Sequence, residues 1–393
     1  MNVQTLNRIE RRSVPQQSFL STVVLSAGFS FTGSGTVMLG VILPALSRQW
    51  GFQDSQLGTL LFLQFFGSGL GAVFAGLNRI RSIKTGFGLV SAALCALIIT
   101  GSRHPYSAFL IYGIGLGMAM TATSQLFSDL WGDDRAAKLE WLNFVWSAGA
   151  MIGPICFLPF LRHQAFQSVF VLMLLLFFCI FCFVMLVQRA EPKVAAPRIV
   201  KEAGPAARIV FFAFLVFAMC FVGVEASLSG WLATYSSRAG FHSLAGASVA
   251  TSLFWFGEMA SRLTFSTRLL ANVGRAAILT SGIFGLTVTT FALIAFPHPW
   301  SILIFAGVAG YSVGPLYPLA LSYLMELSPQ GWFFAAGGIG AAIFPWITGI
   351  ISHRFHSLRF GLVVPCAAGV AMIVINALVS RSVRAVTVRG AGC

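Results

Sequence analysis

Phe221 to Tyr235 reads FVGVEASLSGWLATY, and the reading of this stretch decides the fold. It lies inside an apolar run from about Ile209 to Ser236. At 1.5 Å of rise per residue, roughly 20 apolar residues cross a bilayer, so the run is long enough to span one. Glu225 falls near its middle. A carboxylate at that depth costs about 2.5–3.5 kcal/mol on insertion scales, so it is expected to face protein or water and to have a function. Ser227, Ser229 and Gly230 follow, then Trp231 and Tyr235, as in the wall of a polar cavity inside a membrane protein.

Composition agrees. The 393 residues are 57% hydrophobic and 9% charged, against about 25% charged in soluble domains. The net charge of +14 comes from short basic clusters between apolar runs. That placement reads as an orientation signal and contact with anionic lipid, not as a nucleic-acid surface. Cys95, Cys156, Cys179, Cys182, Cys220 and Cys366 fall in apolar runs and Cys393 ends the chain, so no disulfide framework is expected. Cys179 and Cys182 form a C-x-x-C inside FFCIFCFV, without the βαβ context of a redox motif. The first apolar run is too long for a cleaved signal and is expected to remain as a helix.

Twelve spans are expected, at about 19–46, 55–77, 85–101, 107–127, 139–161, 165–187, 209–236, 245–265, 276–296, 300–324, 331–352 and 359–380. The segment 188–208, QRAEPKVAAPRIVKEAGPAAR, is polar and basic and reads as a cytoplasmic linker between residues 1–187 and 209–393. Of the 25 Lys and Arg, all but Arg48, Arg103, Arg162, Arg238, Arg354 and Arg359 fall on the side of the N-terminus. The positive-inside rule then places both termini in the cytoplasm, in an inner-membrane protein.

The two halves repeat. AGAMIGP (148–154) matches IGAAIFP (339–345), and FFGSGLG (65–71) matches WFGEMAS (255–261), each about 190 residues apart. GIGLG at Gly113 matches GVAGY at Gly307 at a similar offset. Repeats of this kind put a site between the halves near mid-membrane. The expected fold is therefore all-α, with twelve transmembrane helices in two pseudo-symmetric six-helix bundles.

Twelve spans, a basic linker and repeated halves resemble the major facilitator superfamily over essentially the whole chain. Gly149, Gly153 and Pro154 match that family's GxxxGP element in the fifth helix. GEMASR (257–262) resembles the second-half copy of its G-x-x-x-(D/G)-R-x-G-R loop. The first-half copy departs from the pattern, with Asn78 where the acid would stand. GVILP (40–44), GVEASLSGWLATY and FWFGEMASRL resemble the fucose/glucose permease branch, which implies a sugar carried by alternating access. The acids that such proton symporters carry in helices 1 and 4 are absent, with Gly40 and Met120 near those positions. Transport would then be facilitated, sodium-linked, or proton-linked through Glu225.

Glu225 either accepts substrate hydroxyls or takes up a coupling proton; the plainer alternative is that it only ties helices together. Trp146, Trp231, Trp255, Tyr311 and Tyr317 offer flat rings for the C–H faces of a sugar, though aromatics also fill cores. Gln64, Gln125 and Asn143 offer amides that equally serve as helix–helix glue. Pro315 and Pro318, in GPLYP, bend helix 10 as a static kink or as a gate hinge. Glu258 and Arg262, four apart on helix 8, read as a surface or gate ion pair. Asp129, Asp133, Asp134 and Glu140 read as solvated loop, with a role at an inner gate as the alternative.

All six histidines (His104, His163, His242, His298, His353, His356) fall in outer loops. No metal spacing, catalytic arrangement or P-loop is seen, so no cofactor is expected beyond a coupling H+ or Na+. The expected protein is a monomeric transporter of a small polar solute. An exporter of amphipathic compounds, with its cavity lined by phenylalanine, is the alternative. A membrane-embedded transferase would need an acid or histidine cluster at the membrane surface that the sequence does not offer, and a channel would need a filter or charged ring.

Overall fold

The computed structural model describes residues 16–76, 78–131, 135–186, 205–241, 243–266, 274–316, 319–320 and 331–390. Helices account for nearly all of them: α1 Gln16–Trp50, α2 Asp54–Phe74, α3 Arg79–Thr100, α4 Pro105–Trp131, α5 Arg135–Arg162 and α6 Gln167–Leu186. The second set is α7 Pro205–Arg238, α8 Leu244–Ser266, α9 Arg275–Ala295, α10 Pro299–Val313, α11 Gly331–Phe355 and α12 Val363–Gly390. A single helical turn, Leu358–Gly361, leads into α12. Ten of these helices are long and apolar enough to cross a membrane. Of the other two, α10 is an apolar helix of 15 residues. The other, α8, carries Glu258 and Arg262 among serines and threonines. The residues between α6 and α7, where the linker is expected, lie mostly outside the described ones.

Neighbour relations repeat between the two sets of six. In the first set α2 and α3 pack on α4, α1 packs on α5, and α3 and α1 pack on α6. In the second, α8 and α9 pack on α10, α7 packs on α11, and α9 and α7 pack on α12. Between the sets, α2 meets α11, α5 meets α8, and α1 meets α7. The chain thus forms two pseudo-symmetric bundles. We call the face where α1 begins basal and the opposite face distal.

The repeat extends to single residues. A Cβ on Gly67 would overlap the carbonyl of Leu110, and one on Gly257 the carbonyl of Gly307. Gly113 lies against Gln64 as Gly310 lies against Phe254, and Gly117 against Ser68 as Gly314 lies against Glu258. These contacts pair Gly113 with Gly310, nearly one turn beyond the Gly307 that the glycine-rich motifs align. Alignment by composition misses the register because either glycine spacing satisfies the motif, whereas backbone contact admits one.

Gly149 approaches the backbone of Ser30, and Gly153 lies against Ser34. Ser34 Oγ donates to the Gly149 carbonyl at 2.8 Å. The GxxxGP element therefore seats α5 on α1 inside the first bundle. Gly149, Gly153 and Pro154 are also expected to take part in gating, and the two glycines make their close approach to α1 of their own bundle. Small residues let two backbones touch, which is how helices associate where lipid offers no hydrophobic drive. Larger side chains force shifts costing about 1–3 kcal/mol. We predict that Gly149→Val lowers the unfolding midpoint and yield in detergent. Gly69→Val, at a glycine whose added Cβ meets nothing within 4 Å, should leave both unchanged.

Candidate functional site

Where α5 crosses α8, a charged group joins the bundles. Glu258 is completely buried and is ion-paired with Arg262 one turn along α8. The Arg262 guanidinium also donates to Ser147 Oγ at 2.8 Å and to the Asn143 carbonyl at 3.2 Å, both on α5. Glu225, half-buried at mid-length of α7, lies within electrostatic reach of Glu258 and Arg262. Of the two expected readings, a surface or a gate ion pair, the interior position excludes the surface one, and the pair bridges the halves. A buried acid must be paired, and the only cation one turn away on its own helix is Arg262. Two carboxyl groups thus stand near a single arginine, and only Glu258 is paired with it.

Beside this cluster, Trp146 of α5 and Trp255 of α8 meet edge to face across the halves, with ring centroids 5.0 Å apart. Both indole Nε1 atoms are buried and have no hydrogen-bond partner among the described residues. An unsatisfied buried donor costs about 1–3 kcal/mol, and one that persists at a bundle interface is a natural contact for a ligand acceptor. Gln125 on α4 likewise has a buried Oε1 without a partner.

Other expected site residues lie elsewhere. Trp231 is fully buried and donates its Nε1 hydrogen to the Pro345 carbonyl of α11 at 3.0 Å. Its ring packs against Gly349, so it holds α7 to α11. Gln64 donates to the Thr36 carbonyl at 2.8 Å and so ties α2 to α1, with its Oε1 unpaired. Asn143 reaches Arg262 through its backbone, while its side chain is exposed. Tyr311 is 40% exposed rather than enclosed. Pro315 is buried just past the end of α10, whereas Tyr317 and Pro318 lie outside the described residues, as do Asp133 and Asp134. Asp129 pairs with Arg79 at 3.3 Å inside the first bundle.

Sequence reasoning missed a second bridge, on the distal face. Arg238, at the end of α7, holds Asp54, at the start of α2, through two hydrogen bonds of 2.7 and 2.5 Å. Ser352 of α11 donates to the same carboxylate at 2.5 Å. Gly58 lies against Gly349 and Gly40 against Gly230 along the same seam. In the sequence, Asp54 is only an acid in the first turn of a helix, where the dipole favours it anyway, and its partners are far along the chain.

A family model described as Major Facilitator Superfamily matches residues 23–331. The chain belongs to the Major Facilitator Superfamily. It is 25% identical to the 4-hydroxybenzoate transporter PcaK of Acinetobacter baylyi over 89% of both chains. It is 28% identical to Sodium-dependent glucose transporter 1 of Rattus norvegicus, over 35% of this chain and 30% of that protein. Among solved structures it superimposes on peptide transporter POT in complex with alafosfalin at a TM-score of 0.74, with 14% identity, over 93% of this chain and 95% of that one. FucP, crystallised in the outward conformation, gives a TM-score of 0.61 at 14% identity, over 92% and 99%. This is a multi-pass membrane transporter of the superfamily, with a small-molecule substrate.

The distal bridge makes a measurable prediction. Asp54 is almost buried but Arg238 is 41% exposed, so solvent screening reduces the pair to about 1–2 kcal/mol. A double-mutant cycle of Asp54→Asn and Arg238→Gln, followed by unfolding in detergent, should show coupling of that size. Additive effects would mean that the two side chains act independently.

Proposed function

We propose that this protein carries a small hydroxylated solute, a sugar in the first instance, across the cytoplasmic membrane by alternating access between its two bundles. One observation carries the reading: Glu258 and Arg262, with Glu225 within electrostatic reach, lie at the crossing with α5 beside two indole N–H groups that lack partners among the described residues. Ring faces and convergent donors and acceptors are what a hydroxylated ring requires. The basic segments put the basal face in the cytoplasm. Glu225 and Glu258, two carboxyl groups beside one arginine, form the site for a coupling H+ or Na+, with no other cofactor, and a monomer suffices because both halves lie in one chain.

A second reading is a hydroxylated aromatic acid. Two features favour it: the breadth of the match to a 4-hydroxybenzoate transporter, and unpaired indole donors that suit a carboxylate as well as a hydroxyl.

Uptake into proteoliposomes separates the two. Labelled hexoses should accumulate and 4-hydroxybenzoate should not; the reverse would establish the second reading. For whichever solute is carried, Trp255→Phe keeps an aromatic ring but loses the donor. It should raise KM about 5- to 10-fold, the worth of one hydrogen bond of about 1 kcal/mol. Glu225→Gln should flatten the dependence of uptake on pH or Na+ while solute exchange persists. An unchanged ion dependence would remove Glu225 from coupling.

A further inference from the structure

On the basal face, outside the crossing of the halves, α2, α3 and α4 enclose a groove of about 430 Å³. That is within the ~300–1,000 Å³ usual for small-molecule sites. One wall is apolar: Val73 and Phe74, at the end of α2, are 77% and 65% exposed, and Met118 of α4 lies opposite. The other wall is the first turn of α3, with Asn78, Arg81 and Ser82.

Three features give this wall a preference for negative charge. Arg81 is exposed and has no ion pair or side-chain hydrogen bond among the described residues, whereas its neighbour Arg79 is paired with Asp129. Ser82 is 7% exposed and lines the groove, yet its hydroxyl bonds to nothing among the described residues, although its backbone N–H is satisfied by the Asn78 carbonyl. The start of α3 also presents the positive end of a helix dipole. Among the described residues no acid lines the groove. Asn78, where the family motif has an acid, is neutral and caps the helix by accepting from the Arg81 N–H at 2.7 Å.

The geometry points to a binding site for the phosphate of an anionic phospholipid, with Arg81 and Ser82 holding the headgroup and Val73, Phe74 and Met118 lying along the acyl chain. The depth selects lipid over a soluble anion. The groove opens where the apolar spans of α2 and α3 end, at Phe74 and Arg79, so its apolar wall faces the bilayer and its polar wall the headgroups. Basic groups near a membrane surface each gain about 1 kcal/mol from anionic lipid. The enclosed hydroxyl beside Arg81 adds a hydrogen bond that diffuse attraction does not supply.

The test uses the full-length protein in neutral detergent. Thermal unfolding is followed with phosphatidylglycerol, with phosphatidylcholine and with inorganic phosphate, and native mass spectrometry counts bound lipid. Phosphatidylglycerol should raise the midpoint and stay bound, while phosphatidylcholine and inorganic phosphate should do neither. Arg81→Gln should weaken the lipid effect at least fivefold and Ser82→Ala at least twofold, with unchanged midpoints when no lipid is added. Lys84→Gln, a basic residue of the same helix outside the groove, should leave the effect intact. Wild-type lipid affinity in Arg81→Gln would overturn the assignment. So would equal weakening in Lys84→Gln, which would mean diffuse charge, or a shift produced by inorganic phosphate alone, which would mean a soluble anion.

Discussion

The Arg262 guanidinium is bound on one side by Glu258 of its own helix and on the other by Ser147 and the Asn143 carbonyl of α5. Glu258 is completely buried, so leaving it without its arginine is costly and the pair is expected to hold as the bundles tilt. That requirement makes the α5–α8 crossing a fixed point. Around it lie Glu225, within electrostatic reach of the same cation, and the Trp146–Trp255 contact. On the proposed function, coupling-ion occupancy and bundle orientation would be linked at this cluster.

Away from the crossing, the bundles are held by different means on their two sides. Inside each bundle, glycines bring backbones into contact: Gly149 on Ser30 in the first, and Gly340 on Met219 in the second. These contacts contain no charge and have no second arrangement to adopt, so each bundle moves as a body. Between the bundles on the distal face, Asp54, Arg238 and Ser352 form a polar clasp. Arg238 can exchange its partner for water at modest cost, because it is partly exposed. A clasp of that kind can open while the glycine seams stay shut.

Much of this was legible in the sequence. Apolar runs located the helices, since the bilayer imposes their length, with larger misses at the end of α10, which stops at Val313 against an expected 324, and of α12, which runs to Gly390 against 380; Glu225 marked the interior by its cost. Gly149 and Gly153 marked a close approach, although the partner is α1 of the same bundle and not a moving surface. What the sequence could not supply was pairing at a distance. Trp231 looked like a substrate platform but is hydrogen-bonded to Pro345, and Glu258 looked superficial but is buried. Asp54 carried no sign of Arg238. The register of α4 against α10 also escaped, because a glycine-rich helix matches itself at several offsets and only backbone contact distinguishes them.

The account stands on two rigid bundles tilting about the α5–α8 crossing. Spin labels in a cysteine-depleted background, one pair at Gln53 and Ser243 on the distal face and one at Gly76 and Gly274 on the basal face, test this by pulsed electron resonance. Addition of transported solute, or a change in the coupling ion, should lengthen one distance while shortening the other. Distances that stay fixed, or that change in the same sense, would contradict it.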